Sequence, residues 1–447
     1  MKTTLRSAGT RFVDALRRLE RAWERTDALF AMVPEASLLE RPIELRHPLI
    51  FYVGHLPAFA RNLLVSGVLE RPAFRPDFDS FFDFGIDPEE GQEEHRSVWP
   101  ALGEILDYRN RVRSEVRESL SGLAQRRNRH PLAENARILH LVREHEEMHH
   151  ETLLYLLSEL DMAHKRRPTW WRAPVTGAAC AEMRVLSIPA GPVTLGVDFA
   201  GTEFGWDNEF PARTADVGGF RLASLPATVG EFLEFLREGG YSEPALWDEQ
   251  DWPWIAAHGR THPQAWTRRG EDWFLRTMFE YVPLEHVSGW PASVSLAEAR
   301  AFARWRGARL ASEAELRRAA FTTPSGGERA HPWGDEPPGE HHGAFAFHPQ
   351  SPLPVGSRPG GDSAWGVSEL VGNGWEWTAT PFLPHEGFVN YVEDYPGYSQ
   401  EFFDGKHFVL LGGSWATAAG LLRRSFRNWF RHNYPYPFTK FRLAWDA

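Results

Sequence analysis

PLAENARILHLVREHEEMHHETLLYLLSELDM, residues Pro131 to Met162, reads as one long helix. Pro131 suits a helix start, where a missing N–H costs nothing. Within it His145 and His149 are spaced i, i+4, which puts two imidazoles on one helical face. Leu141, Thr152 and Leu156 make the matching side apolar, so the pair is expected to face an interior. A buried pair of imidazoles without partners is costly, and a metal ion removes that cost. A His-x-x-x-His spacing alone is a weak pattern, and a histidine-rich solvent face accounts for it equally well.

Outward from this segment, three more stretches carry helical periodicity. Phe12, Leu16, Leu19, Trp23 and Leu29 share a face of an opening helix; a second apolar stretch covers 49–69; a third covers 98–123, with Leu102, Ile105, Val112 and Val116 in register. Four such helices predict a four-helix bundle over residues 1–165, with a long connection over 70–96 of the kind that is often functional. Bundle interiors collect ligands from facing helices. The second helix offers His55, in an apolar setting beside Gly54, which permits close approach. Three histidines with open coordination positions suit Fe(II) or catalytic Zn(II). The same segment also spells His-Glu-x-x-His, the zinc-peptidase pattern with Glu146 as general base. That reading leaves the second half of the chain without a role.

The second half has a different grammar. After a linker over 166–182, short β-like runs (183–188, 192–195) alternate with Gly, Pro and Asp turns. Two helices are expected, over 229–238 and 296–305, in an α+β domain over 183–447. Most of the 19 Trp fall in this half, and each buried indole N–H will want an acceptor.

Composition narrows the classes. With 42% hydrophobic and 24% charged residues the 447-residue chain is ordinary globular material. A net charge of −11 disfavours sequence-independent nucleic-acid binding. No run approaches the roughly 18 apolar residues of a membrane span, and the charged N-terminus lacks an apolar signal core. No membrane partner is expected. Cys180 is the single cysteine, so no internal disulfide and no cysteine metal site can form. A reducing, cytoplasmic location fits.

Seven short motifs then run in order through the second half: Gly201–Glu209 (GTEFGWDNE), Pro291–Ser295 (PASVS), Ala303–Glu313 (ARWRGARLASE), His331–Asp335 (HPWGD), Gly372–Thr378 (GNGWEWT), Leu411–Trp415 (LGGSW) and Phe441–Leu443 (FRL). Together they resemble the formylglycine-generating-enzyme fold, a C-type-lectin-like domain. Most of these residues are expected to be structural: Gly372, Gly412 and Gly413 holding turns, Trp375 and Trp377 filling a core. Fold alone does not give function. A bundle resembling the DinB type fused to this domain resembles the sulfoxide and selenoxide synthases, the EgtB, OvoA and SenA family. The resemblance covers nearly the whole chain.

It implies Fe(II) on His55, His145 and His149, O₂ as co-substrate, and joining of a chalcogen donor to the imidazole of histidine or hercynine, at a site between the two domains. Tyr395-Pro396-Gly397-Tyr398 matches the family segment that gives the catalytic proton donor, Tyr395, and an aromatic wall for the substrate amine, Tyr398. An aromatic face suits a trimethylammonium group, which has no hydrogen to donate. Arg427-Asn428-Trp429 matches the segment whose Asn and Trp hold the hercynine carboxylate. Two positions depart from the pattern. Phe430 stands where some EgtB proteins carry a donor-binding Asp, and Met148 where some carry a substrate-touching Gln. These departures, and the segment Glu44–Phe59, favour the SenA branch and a selenosugar donor. The alternatives are a hercynine sulfoxide synthase using cysteine or γ-glutamylcysteine, a zinc metalloprotease, and a non-catalytic lectin-like binding protein.

Overall fold

The computed structural model describes residues 8–83, 98–126, 129–177, 181–392 and 398–447. It forms two compact units. The first takes Met1–Pro168 and adds two segments from far along the chain, Gly201–Asp207 and Asn390–Tyr398. The second is Thr169–Ala200, Asn208–Val389 and Ser399–Ala447. The linear division expected at 165 and 183 therefore needs amending, because the first unit recruits aromatic residues from beyond it.

In the first unit the helices are α1 (Ala8–Phe30), α2 (Leu49–Ala60), α3 (Pro76–Phe81), α4 (Leu102–Glu118), α5 (Leu120–Arg126) and α6 (Arg137–Glu159). The four long ones match the expected bundle, and α6 packs against both α1 and α2. On α1 the stripe Phe12, Leu16, Leu19, Trp23 and Leu29 is buried throughout. α6 starts later than Pro131 because Asn135 and Ala136 take left-handed backbone angles, φ 53° and 60°, which break the helical turn. α3 lies within the connection over 70–96; the rest of that connection falls largely outside the described residues.

α2 is buried at all twelve positions and carries Pro57 inside it. The missing proline N–H disrupts regular bonding, and the chain continues as a π-helix over Arg61–Val68. Leu49–Val68 is apolar and long enough to cross a membrane, which corrects the expectation that no such stretch exists. Its hydrophobicity is spent inside the bundle, where 89% of that window is buried.

In the second unit one four-stranded antiparallel sheet has the order Val185–Ile188, Phe220–Ala223, Leu443–Asp446, Arg309–Leu310. Another runs Asn428–Arg431, His407–Leu411, Trp375–Pro381, Thr439–Lys440, its last pair parallel. Ile188, Leu222, Leu316, Val409 and Ala444 join both sheets and one helix in a single core. The expected helices form as Val229–Arg237 and Leu296–Trp305, each started by a capping box. Two helices were not anticipated, the short Trp252–Ala257 and Glu313–Phe321; the second has the same signature, Ser312 with Glu315. Trp377 and Trp290 are 1% and 2% exposed, and their indoles donate to Val294 O and Val175 O at 2.9 and 3.0 Å. Gly412 holds a turn at φ 84°, and a Cβ there would lie 2.1 Å from Leu370 O.

Candidate metal centre

α2 and α6 bring His55, His145 and His149 together. One ring nitrogen from each lies within 4.8 Å of the others, and the Nε2 atoms of His145 and His149 are 3.1 Å apart. All three are buried. Burial holds the His55 imidazole down at about 4 and pushes His145 and His149 well below the usual imidazole value, helped by their mutual proximity. Three neutral imidazoles with converging lone pairs are the state a metal ion needs.

α2 also braces the rings. Phe59 stacks on His145 at 3.5 Å and 4°, Phe51 on His55 at 4.9 Å, and Tyr52 lies 5.7 Å from His149. His55 Nδ1 donates to the main-chain carbonyl of Phe82 at 2.8 Å. That bond fixes the proton on Nδ1 and leaves Nε2 as the ligand atom, the usual arrangement around metal-binding histidines. Among the described residues, Nε2 of His55 is itself buried without a hydrogen-bond partner. The donor set, its protonation and its orphaned lone pair therefore fit a divalent transition metal.

Gly54 is needed for this geometry. A Cβ at that position would lie 2.4 Å from the Phe82 ring. The close approach expected of Gly54 is thus made by the ring of the residue whose main-chain carbonyl orients His55. α3, which delivers Phe82, is held by Asp79, whose carboxylate accepts from Tyr108 OH at 2.5 Å and lies 4.0 Å from the buried Arg61 guanidinium.

Glu146 faces elsewhere. Its carboxylate accepts from Thr26 Oγ1 on α1 at 2.5 Å, and Thr26 also bonds the His150 ring at 2.9 Å. Burial raises the Glu146 carboxyl to about 7. A peptidase base must reach the metal-bound nucleophile, whereas this carboxylate is engaged on the α1 side of α6. The structure removes the general base from the zinc-peptidase reading.

Met148, one residue before His149, accepts from Tyr398 OH at 3.5 Å through its sulfur. Met148 and Tyr398 belong to the same unit as the histidines. Tyr395 lies outside the described residues. Asn428, Trp429 and Phe430 lie in the second unit, on the strand Asn428–Arg431. Successive strand residues point to opposite faces: Trp429 stacks on Phe382 at 4.2 Å, while Phe430 stacks on Tyr434 at 5.5 Å.

Two groups near α6 were not anticipated as site residues. They are Trp206, whose indole donates to Glu144 Oε2 at 3.0 Å, and the Phe82 carbonyl. Trp206 lies in the motif Gly201–Glu209, most of whose residues are expected to be structural; nothing local announces a carbonyl 27 residues from its histidine.

Glu336, His341 and His342 also lie close together. There Gly339 N–H donates to His342 Nδ1 at 3.0 Å, which puts the ring proton on Nε2, the atom 3.8 Å from Glu336. That ring has no lone pair left for a metal.

Residues 173–447 match the sulfatase-modifying factor enzyme 1-like domain, and residues 18–153 match the DinB superfamily. A hercynine oxygenase from Mycolicibacterium thermoresistibile is 33% identical over 427 residues, 92% of this chain and 90% of that protein. The chain belongs to the hercynine oxygenase family. Another member, from Mycobacterium tuberculosis, is 41% identical over 56% of this chain and 58% of its own length. Ergothioneine biosynthesis protein 1 of Neurospora crassa is 30% identical over 96% of this chain. The chain spans only 57% of the Neurospora protein. These relatives favour the sulfoxide-synthase alternative over the selenium reading, since the names they carry are those of hercynine and ergothioneine enzymes.

Proposed function

We propose that this enzyme uses O₂ to join the sulfur of a small thiol to the imidazole of hercynine, with Fe(II) held by His55, His145 and His149. The observation that carries the reading is the buried trio of neutral imidazoles, in a chain of the hercynine oxygenase family. The reaction balances as imidazole C–H plus thiol S–H plus O₂ giving a C–S bond, one S=O and one water. Iron bound there would supply the one-electron chemistry that lets O₂ react with closed-shell partners.

The chain's own residues supply the rest. Phe51, Phe59 and Tyr52 keep the ligand rings oriented and the centre dry. Dryness protects reactive species from side reactions. Tyr398 offers an aromatic surface to the trimethylammonium group, and Met148 an apolar, polarisable neighbour. By the resemblance of the segments Arg427–Trp429 and Tyr395–Tyr398, Asn428 and Trp429 would hold the carboxylate and Tyr395 would donate the proton.

A second reading concerns the donor. Phe430 offers no carboxylate to a charged α-amino group, which favours a selenosugar over γ-glutamylcysteine. Comparison of kcat/KM for cysteine, γ-glutamylcysteine and a selenosugar under the same iron and oxygen decides it. Faster turnover of either thiol supports the sulfoxide-synthase reading. Faster turnover of the selenosugar supports the second.

A further inference from the structure

α6 presents two adjacent stripes. His145 and His149 form the ligand stripe. One residue earlier at each level, His140, Glu144 and Met148 form a second stripe at i, i+4, i+8, and it is occupied by the recruited segments. His140 Nε2 lies 3.6 Å from Glu203 Oε1, and its ring stacks over Phe204 at 6.0 Å. Glu144 accepts the Trp206 indole N–H at 3.0 Å. Met148 meets Tyr398 OH. Trp206 and Tyr398 in turn stack face to face, with centroids 3.7 Å apart and planes at 23°. Tyr391 OH donates to Gly205 O, tying the two segments together.

Trp206 is wholly buried and is far larger than a spacer needs to be. Its two functions are separable. The ring face fixes the plane of Tyr398, and the N–H fixes the ring to Glu144. Glu144 is 1% exposed and is neutralised by Arg143, whose guanidinium donates to its other oxygen at 2.8 Å. A buried carboxylate paired in this way is a rigid acceptor. The chain of contacts therefore runs from α6, at the level of His145, through Trp206 to Tyr398, and back to α6 at the level of His149.

We infer that Trp206 is a positioning residue for substrate recognition: anchored on Glu144, it sets the Tyr398 ring against Met148 beside the ligand stripe and so controls acceptance of the quaternary amine. This rests on the proposed use of hercynine. The indole covers one face of Tyr398, so a cation would meet the ring from its other face or its edge. A tilted Tyr398 would lose that contact without disturbing the histidines.

The test compares wild type with Trp206→Phe, Trp206→Leu and Glu144→Gln. Three quantities are read: metal bound per chain, the calorimetric Kd for hercynine on cobalt(II)-loaded protein, and kcat and KM for the iron enzyme. Trp206→Leu should weaken hercynine binding and raise its KM roughly three- to tenfold, within the range of one cation–π contact, with metal content unchanged and a smaller loss for histidine, whose ammonium can also be held by hydrogen bonds. Trp206→Phe keeps a stacking ring and loses the N–H, and Glu144→Gln keeps an acceptor; each should fall between wild type and Trp206→Leu. If Trp206→Leu does not fold, these two carry the test. Unchanged hercynine Kd and KM in the folded variants, with only a lowered Tm, would overturn the inference by showing a structural role. Equal losses for histidine and hercynine would overturn it too. Wild type that neither binds nor turns over hercynine would instead refute the proposed function itself.

Discussion

Gly54→Ala is a one-methyl change whose consequences can be worked from the coordinates. The new Cβ would meet the Phe82 ring at 2.4 Å, against roughly 3.5–4.0 Å for carbon atoms in ordinary contact. The ring must therefore retreat by about 1 Å or more. Overpacking of this kind costs about 1–3 kcal/mol, while replacing a helical Gly by Ala returns about 1 kcal/mol of propensity. The net loss of stability is therefore modest, about 0–2 kcal/mol. The larger effect is on the metal. Phe82 holds His55 Nδ1 through its carbonyl at 2.8 Å, and its ring is fully buried, so a retreat of the ring that carries the backbone with it weakens that bond. Loss of such an orienting bond typically costs 10–100-fold in metal affinity. The assay is competitive titration of Fe(II), under anaerobic conditions, against a chelating dye, with a thermal melt alongside. Weakened metal binding with a small Tm change is expected. Wild-type metal affinity in Gly54→Ala would refute the coupling of the Gly54–Phe82 contact to the metal ligands.

Glu146 holds a proton in the folded state up to about 7, where the unfolded chain has released it from about 4.5, so its contribution to stability falls as pH rises through that window. Glu146→Gln should remove this fall and gain on wild type by on the order of 3 kcal/mol at pH 8. Parallel Tm–pH curves would contradict it, and turnover should stay near wild type because this carboxylate bonds Thr26. Lys440 donates to the carbonyls of Gly372 (2.8 Å) and Gly374 and lies 3.6 Å from Glu376. Lys440→Met should destabilise the chain by about 3–5 kcal/mol in denaturant unfolding, the usual cost of breaking a buried ion pair; a loss below about 1 kcal/mol would show that Arg442 alone balances Glu376. Tyr398→Leu should raise the hercynine KM by roughly three- to thirtyfold while leaving bound metal unchanged, and a drop in metal content would show that the ring supports the ligands instead.

The parts of the fold that follow from local periodicity were legible in the sequence. The stripe on α1, the i, i+4 pair on α6 and the apolar run through His55 each carry their own signal, because burial of one helical face repeats every three to four residues. The helix Glu313–Phe321 carries its capping box, Ser312 with Glu315, but is too short and too closely set among turns for its periodicity to stand out. What could not be read is what depends on contacts distant in sequence. Phe82 reaches His55 through a main-chain carbonyl, which leaves no side-chain signature. The recruitment of Trp206 and Tyr398 to the bundle depends on packing between segments nearly 200 residues apart. The pattern His-Glu-x-x-His could not say which way Glu146 turns; only the neighbouring α1, with Thr26, settles it.

Iron held by three histidines for an oxidative coupling to hercynine is open to a direct test. The most direct measurement is product mass after aerobic incubation of Fe(II)-loaded protein with hercynine and each thiol donor, run beside zinc-loaded protein and His55→Ala. The expected product has the mass of hercynine plus thiol plus O₂ less water, and is formed by the iron-loaded wild type and by neither control. Undiminished product from His55→Ala, or peptide cleavage by the zinc-loaded protein, would contradict it.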